Sequence, residues 1–157
     1  MSEYSVPAKF SIAEDENCTN IIFDLAQRSP QHVVFRHKQG DTWAPITAAD
    51  AAARISSIAK GLIASGVNPP GDRVALLSRT RLEWNLFDFA IWSAGAITVP
   101  IYDSSSASQI EWIMRDSGAV AIVLEDDAHR AAFESIDSLT EPVKVFQIDR
   151  ADAPRCR

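Results

Sequence analysis

The sequence has few of the residues from which metal, redox and cofactor sites are usually built. Its 157 residues include two cysteines, three histidines and six glycines. Cys18 and Cys156 stand near opposite ends and form no CxxC pair or Cys/His ligand set, so we interpret them as reduced thiols of a cytosolic protein. The histidines lack the spacing of a metal site or a catalytic triad, and we expect surface positions for all three: His32, His37 and His129.

Basic clusters, targeting signals and long apolar runs are also missing. The net charge is −6, and no Lys/Arg cluster stands out, so neither nucleic acid nor an anionic membrane is expected as an electrostatic partner. Residues 1–18 do not resemble a secretory signal. The most apolar stretch, 89–101, is shorter than the roughly 20 residues that span a bilayer. We therefore expect a cytoplasmic protein, with peripheral membrane association as the alternative.

No motif for phosphate binding or nucleophilic catalysis occurs. The glycines are dispersed, and GxGxxG, GxSxG and HExxH are all absent. The stretch 103–108 follows a strand-like segment and precedes a helix start, which is the layout of a phosphate loop. However, it has no Gly or Lys and carries Asp103. Because Ser106 and Gln109 fit the S/T-x-x-E/Q capping rule, we predict a capped helix start and keep phosphate binding as the alternative.

One acidic cluster, Glu125-Asp126-Asp127, follows the apolar run 119–124. A metal site there is conceivable. We favour a solvated turn in which Asp126 or Asp127 caps the next helix. Residue chemistry therefore gives no catalytic, cofactor-binding or metal-ligating assignment. The tryptophans of the predicted helices are interpreted as core or interface residues: Trp84, Trp92 and Trp112.

The hydrophobic share of 46% is typical of a soluble globular domain, and its patterning predicts an α/β fold. From residue 72 onward, strands and helices alternate, which favours a mostly parallel sheet with flanking helices. Ligands of such a sheet bind beyond the carboxyl ends of its strands. The predicted strands are 32–37, 42–46, 72–78, 96–101, 119–124 and 143–148, and the predicted helices are 19–28, 47–65, 81–94, 107–116 and 127–139.

The predicted helix 81–94 is unusual because its polar side chains form only a narrow stripe. We expect its second apolar side to pack on later segments of a larger enzyme. The isolated chain should then expose an apolar patch and either self-associate or be marginally stable. Capping boxes are predicted at two helix starts: Thr80 with Glu83, and Thr47 with Asp50. The inward positions of the two N-terminal helices are predicted to include Ile21 and Ile63.

Four short motifs occur once each, in a specific order and spacing: Gly71-Asp72-Arg73-Val74, Ser78-x-Thr80-Arg81-x-Glu83-Trp84, Gly95-Ala96-x-x-Val99-Pro100-x-Tyr102 and Asp116-Ser117-Gly118-Ala119. With the upstream elements, residues 15–150 resemble the N-terminal region of AMP-forming acyl-CoA synthetases, in the long-chain fatty-acid–CoA ligase branch of the adenylate-forming superfamily. The resemblance implies an incomplete N-terminal α/β subdomain at 19–149, a loose arm at 1–18 and an atypical tail at 150–157.

In the family that the sequence resembles, ATP and a fatty acid give an acyl-adenylate and pyrophosphate, and CoA then displaces AMP. ATP, magnesium and CoA are therefore implied for a complete enzyme. The family's phosphate loop, adenine segment, ribose-binding Asp and C-terminal Lys have no counterpart in this sequence. The resemblance thus assigns no catalytic, cofactor-binding or metal residue here. It implies a fragment that is inactive alone, whether truncated, frameshifted or excised. A free-standing module is the less favoured alternative.

Two other functions stay open at this point. The chain could be a non-catalytic interaction module that complements another ligase chain. It could also be a small α/β nucleotide-binding protein that uses the loop 103–108. Binding of ATP or AMP would separate the second from the others.

Overall fold

The structure is a computed structural model that describes residues 4–11, 13–14, 16–68, 70–139 and 141–149. The arm before residue 19 has neither helix nor strand in its described part. The elements that follow are α1 (Asn20–Arg28), β1 (Val33–Gln39), β2 (Thr42–Thr47), α2 (Ala48–Ala64), β3 (Arg73–Leu77), α3 (Leu82–Ser93), β4 (Ile97–Ile101), α4 (Ala107–Ser117), β5 (Ala121–Leu124), α5 (Asp127–Glu134) and β6 (Lys144–Gln147).

The predicted elements are present, and the largest difference in length is at α5, which ends at Glu134 and not at residue 139. The helix ends there because the backbone N–H of Ile136 donates to the carbonyl of Phe133, three residues earlier, whereas an α-helix uses the carbonyl four residues earlier. Within the described residues, each helix is too short or too polar to cross a bilayer.

Strands β3 to β6 form a parallel sheet in the order β4-β3-β5-β6, and β1 pairs with β2 in a separate antiparallel hairpin. All of β5 and residues 74–77 of β3 are fully buried. Continuous burial is expected when helices cover both faces of a parallel sheet. The predicted α/β class is therefore confirmed.

Three hydrophobic cores hold the layers together. On one face of the sheet, Ile110 and Met114 of α4 and Phe133 of α5 pack against β3 and β5. On the other face, Leu62 of α2 and Ile91 of α3 pack against the same two strands. A third core joins α1, α2, α3 and the hairpin.

Helix α3 lies between two of these cores. Leu82, Leu86 and Ala90 belong to the core shared with α1, α2 and the hairpin, and Ile91 belongs to a core of the sheet. A helix with apolar residues on nearly every side is stable in such a position. The strands β3 and β5 thus cover part of its second side, while Trp92 of α3 stays 38% exposed. The packing of later segments of a larger enzyme on α3 stays a prediction.

Two predicted helix starts differ in detail. Helix α3 begins at Leu82 with Arg81 at the N-cap, so Thr80 caps nothing, and the Glu83 carboxylate accepts a 2.6 Å hydrogen bond from Nε of Arg81. Thr47 does cap α2 by accepting from the N–H of Asp50 at 3.2 Å. The short Asp50 side chain bonds the Thr47 hydroxyl and not its backbone N–H, so the box is incomplete.

Some apolar side chains that were predicted to face inward are at the surface. Ile21 of α1 is 60% exposed and Ile63 of α2 is 47% exposed, while Phe23 packs against the core instead. Trp112 of α4, interpreted from the sequence as a core or interface residue, is 65% exposed, which leaves the interface alternative for it. Tyr102, just beyond β4, is exposed as well. Two exposed aromatic side chains therefore lie just after β4 and on α4, Tyr102 and Trp112, and Trp92 of α3 is 38% exposed.

Candidate functional site

The carboxyl edge of the parallel sheet contains the crevice at which a doubly wound fold binds its ligand. The connection from β3 runs through α3 to β4, and the connection from β5 runs through α5 to β6 on the opposite side. The connections of these neighbouring strands diverge, so the crevice lies between the ends of β3 and β5. The residues that follow the two strands are Ser78-Arg79 and Glu125-Asp126.

Glu125 fills this crevice and is completely buried. One carboxylate oxygen accepts from the Arg79 backbone N–H at 2.8 Å and from the Ser78 hydroxyl at 3.2 Å. The other oxygen accepts from Nε of Arg79 at 2.9 Å and from its Nη2. The prediction of a solvated turn is therefore wrong for Glu125, because both of its oxygens bond residues beyond β3.

Arg81 extends the charge network to the end of β6. Its guanidinium donates to both Asp149 oxygens, at 2.6 and 3.2 Å. It also pairs with Glu83 and lies 3.5 Å from Glu125. Two arginines thus meet three carboxylates from the ends of three elements, which ties the carboxyl edge of the sheet together.

The pKa shifts of Glu125, Arg79 and Arg81 each favour the charged form. The guanidinium of Arg79 lowers the pKa of Glu125 from 4.5 to about 2. The pKa of Arg79 is raised by its hydrogen bond with Glu125, and that of Arg81 by its hydrogen bond with Asp149. A general acid or base needs a pKa near the working pH. Glu125 therefore has a structural role here and not the properties of a proton-transfer group.

The lowered pKa of Glu125 predicts acid sensitivity. A carboxyl whose folded pKa is below its unfolded pKa stabilises the fold above the unfolded value. Its contribution, about 3 kcal/mol, should be lost as the pH falls from 4.5 towards 2. Urea unfolding between pH 6 and pH 2.5 measures this loss.

In that titration Glu125→Gln should give a flatter pH dependence than the unsubstituted chain. Asp126, whose pKa is lowered by hydrogen bonding from His129, also makes the fold less stable as the pH falls, and it does so equally in both proteins. Burial raises the pKa of Asp88, so protonation of Asp88 favours the fold as the pH falls, again equally in both proteins. Parallel curves for the two proteins would contradict the role given to Glu125.

The other members of the acidic cluster have separate partners. Asp126 caps α5 by accepting from the N–H groups of Ala128 and His129, both at 3.1 Å, and it contacts Nδ1 of His129 at 2.7 Å. Asp127 accepts from the Gln147 side chain at 2.6 Å. The prediction that Asp126 caps this helix is confirmed. No group of three His, Cys, Asp or Glu residues suited to a metal occurs in the described part of the chain.

The histidines and cysteines do not form a site together. His32 is exposed, His37 is half-buried on β1, and His129 is only 16% exposed, so the surface expectation is correct for His32 alone. Cys18 is a free, exposed thiol. Cys156 and the tail 150–157 lie outside the described residues.

The serine-rich loop forms the predicted helix cap. The Ser106 hydroxyl accepts from the N–H of Gln109 at 3.4 Å, and the Gln109 side chain accepts from the N–H of Ser106 at 2.9 Å. Both halves of the capping box are thus present at the start of α4. Ser108 bonds the hydroxyl of Ser106 at 3.0 Å. The Ser106 and Ser108 hydroxyls and the Ser106 amide are thus engaged within the loop and its cap.

This cap makes a prediction for Ser106→Ala. Loss of the cap should reduce the free energy of unfolding by about 1 kcal/mol, measured by urea unfolding. Ser104→Ala in the same loop is the matched control and should change stability by less than about 0.5 kcal/mol. Equal effects of the two substitutions would show that the cap contributes nothing.

A small cavity lies beside Arg79, between the ends of β3 and β4 and not in the crevice between β3 and β5. Its volume is about 230 Å³, below the roughly 300–1,000 Å³ of typical small-molecule sites. The side chain of Arg79 is 67% exposed and is the cation available there. The cavity is lined by residues that follow β3 and β4 and by Trp84 of α3: Ser78, Arg79, Thr80, Trp84, Pro100, Ile101, Tyr102 and Asp103.

The sequence did not identify Ser78, Arg79 and Arg81 as partners of Glu125. These residues are 46 or so positions from Glu125, and only the parallel pairing of β3 with β5 brings them together. The sequence signal for this site was a Glu at the end of a fully apolar run. Burying a carboxylate there costs free energy unless a cation is near.

A comparison with known protein families gives the class of this protein. The sequence pattern of the AMP-binding enzyme family matches residues 22–156 of this chain. This match covers more than half of the chain, and the chain therefore belongs to the AMP-binding enzyme family. The resemblance stated from the sequence motifs is confirmed.

Particular relatives narrow the branch. The chain is 43% identical over 129 residues to the long-chain-fatty-acid–CoA ligase FadD15 of Mycobacterium tuberculosis, a match that covers 82% of this chain and 21% of that ligase. It is 35% identical over 98 residues to a feruloyl-CoA synthase of Amycolatopsis, with coverages of 62% and 19%. The chain spans about a fifth of the length of these relatives and corresponds to their N-terminal part.

Solved structures agree on the fold. A putative long-chain-fatty-acid CoA ligase from Rhodopseudomonas palustris superposes with a TM-score of 0.75 at 26% identity, covering 87% of this chain and 33% of that one. The N-terminal subdomain of Klebsiella oxytoca NpsA superposes with a TM-score of 0.65 at 22% identity, covering 82% and 28%. The described elements therefore have the fold of the N-terminal subdomain of adenylate-forming enzymes.

Proposed function

We propose that residues 19–149 form the first part of the N-terminal subdomain of a long-chain fatty-acid–CoA ligase, and that the chain is inactive alone. The observation that carries the proposal is the 43% identity over 129 residues to FadD15. A complete ligase would join ATP and a fatty acid into an acyl-adenylate and transfer the acyl group to CoA. Residues 1–18 and 150–157 are proposed as an arm and a tail outside the subdomain.

We propose the inactivity because neither the sequence motifs nor the described residues provide a site for a nucleoside triphosphate. The sequence has no glycine-rich loop with a Lys. The crevice between β3 and β5 contains the ion pair of Glu125 with Arg79, and in the loop 103–108 the Ser106 hydroxyl and amide form a capping box with Gln109 at the start of α4. ATP and CoA would therefore need parts of a ligase that this chain does not supply.

The carboxylates present also do not fit a magnesium site. Magnesium requires several oxygen ligands with near-octahedral geometry, usually carboxylates together with substrate phosphates. Glu125 is saturated by Arg79 and Ser78, Asp126 caps α5, and Asp127 binds Gln147. Glu125 could act as a ligand only by losing its present bonds, and no group of three His, Cys, Asp or Glu residues suited to a metal occurs among the described residues.

The test is incubation of the purified chain with ATP, magnesium, a long-chain fatty acid and CoA. We expect no acyl-CoA above a heat-treated blank and no saturable ATP binding. FadD15 under the same conditions is the positive control. Turnover by the chain would refute the inactivity, and ATP binding without turnover would favour the small nucleotide-binding protein. Sedimentation velocity of the same sample reports the self-association that exposed Tyr102 and Trp112 favour.

A further inference from the structure

A cavity of about 510 Å³ lies at the amino edge of the parallel sheet, opposite the crevice between β3 and β5. It is lined by the last residues of α4, by the connection from α4 to β5, and by residues that precede β6. Its volume is within the range of typical small-molecule sites and more than twice that of the cavity beside Arg79. Because a doubly wound sheet binds its ligand at the carboxyl edge, this cavity is separate from the crevice.

The wall of this cavity that adjoins the core is aliphatic. Met114 is 2% exposed and Ala119 is 7% exposed, and both belong to the core that joins α4 and α5 to the sheet. Leu139 and Val143 are half-buried and pack against the same core. All four residues line the cavity, and none of the described residues that line it is aromatic. An aliphatic chain would therefore be removed from water here, whereas an aromatic ring would find no ring to stack on.

The cavity also has a fixed cation, the guanidinium of Arg115. Its Nη2 donates to the carbonyl of Ser138 at 2.8 Å, and both residues line the cavity, so this bond holds the guanidinium beside it. A Glu111 oxygen is 3.6 Å from Nη1, beyond hydrogen-bond length, and that carboxylate accepts instead from the Ser138 hydroxyl. Among the described residues, only one of the five N–H donors of this guanidinium thus has a hydrogen-bond acceptor.

The charges that line the cavity favour a ligand with a single negative charge. Lys144 is a second cation there, and within the described residues it has no carboxylate at ion-pair distance, since its ammonium group donates to the carbonyl of Gly66 at 3.1 Å. Glu141 is the one carboxylate among the described residues of the lining. Two cations attract an anion, and Glu141 opposes a second negative charge on it. A carboxylate therefore fits better than a phosphate dianion.

We propose that this cavity binds a carboxylic acid with an unbranched aliphatic chain. The chain would lie against Met114, Leu139 and Val143, and the carboxylate would accept from the guanidinium of Arg115, whose planar group can form two parallel bonds with it. The proposal does not depend on the proposed function, because the cavity is on the edge of the sheet opposite the crevice. A fatty acid bound here occupies a second site and not a substrate site.

The experiment uses methionine methyl groups as reporters in the purified chain. The sequence contains two methionines, Met1 and Met114, and Met114 lines the cavity. The chain is labelled with methyl-¹³C methionine and titrated with decanoate below the concentration at which it forms micelles. We expect the Met114 resonance to shift and to saturate, while the Met1 resonance does not move. The melting temperature should rise with decanoate concentration, because the ligand binds the folded chain.

Arg115→Met separates the carboxylate from the chain of the ligand. Methionine keeps much of the aliphatic stem and removes the donors, so the affinity for decanoate should fall by at least about tenfold. 1-Decanol has the same chain without the charge, and its affinity should stay within about twofold of that for the unsubstituted chain. Arg130→Met is the matched control. Arg130 also pairs with a glutamate one helical turn away, Glu134, but it does not line the cavity, so decanoate binding should not change.

Each outcome decides. Absence of a saturable shift of Met114 overturns the proposal, as does a shift of Met1 equal to that of Met114, which indicates non-specific association. Equal affinities of the unsubstituted chain for decanoate and 1-decanol show an apolar cavity without carboxylate recognition and also overturn it. If Arg115→Met fails to fold, this comparison of decanoate with 1-decanol decides. None of these results depends on ligase activity, so the proposed function is judged separately.

Discussion

Glu125→Gln should lower the free energy of unfolding by about 2–3 kcal/mol and the melting temperature by about 5–10 °C. The carboxylate is fully buried, and it accepts bonds from both the side chain and the backbone of Arg79 and from Ser78. Glutamine has nearly the same volume, but it removes the charge and turns one acceptor into a donor that faces the guanidinium. Thermal and urea unfolding at pH 7 measure the effect.

Glu134→Gln is the matched control. Glu134 also pairs with an arginine, Arg130, at 2.8 Å, but its side chain is 55% exposed and the pair lies on the surface of α5. Exposed pairs of this kind contribute about 0.3–0.5 kcal/mol. If Glu125→Gln is as mild as Glu134→Gln, the carboxyl edge is not held together by the buried carboxylate.

A double-mutant cycle separates the pair from burial alone. Arg79→Met leaves Glu125 buried with the backbone N–H of residue 79, the Ser78 hydroxyl and the more distant Arg81. A buried charge that has lost its partner is costly, whereas removing both partners costs less than the sum of the single changes. The two substitutions together should therefore be less than additive by at least about 1 kcal/mol.

The sequence predicted the layers of this protein better than it predicted their contacts. Periodicity located each strand and helix, because burial on one or both faces leaves a local pattern in the order of residues. The N-cap at Asp126 and the complete box of Ser106 with Gln109 were predictable for the same reason, since a cap joins residues two or three positions apart. The cap predicted at Thr80 failed because Arg81 offers Glu83 a stronger, charged partner.

The site was less predictable because it depends on strand order. The solvated interpretation of Glu125 rested on its acidic neighbours, Asp126 and Asp127. The structure instead places it beside Arg79, which is 46 residues away, because β5 adds to the side of β3 that β4 leaves open. No periodicity in a single sequence reports which edge a strand joins. The same reason applies to α3: its sequence showed that it is apolar on two sides, but not which elements pack against each side.

Ile91→Ala and Leu86→Ala should each lower the free energy of unfolding by about 2–5 kcal/mol, and both should shift one common transition. The two side chains lie on the same helix but in different cores: Leu86 faces α1, α2 and the hairpin, and Ile91 faces the sheet. Each is almost completely buried, so truncation leaves a cavity in a packed layer. If α3 couples the layers, then both cores unfold together.

The measurement is urea unfolding followed by two probes: circular dichroism for the whole chain, and tryptophan fluorescence in a background where Trp43, Trp92 and Trp112 are replaced by Phe, so that Trp84 on α3 is the reporter. Ile63→Ala on the exposed side of α2 is the control and should cost less than about 1 kcal/mol, because 47% of that residue is already exposed. For each variant the two probes should give coincident curves. If Leu86→Ala instead separates an early transition from a later one that Ile91→Ala alone shifts, then the helical layer and the sheet are independent units. In that case the apolar character of α3 on both sides would not be what joins them.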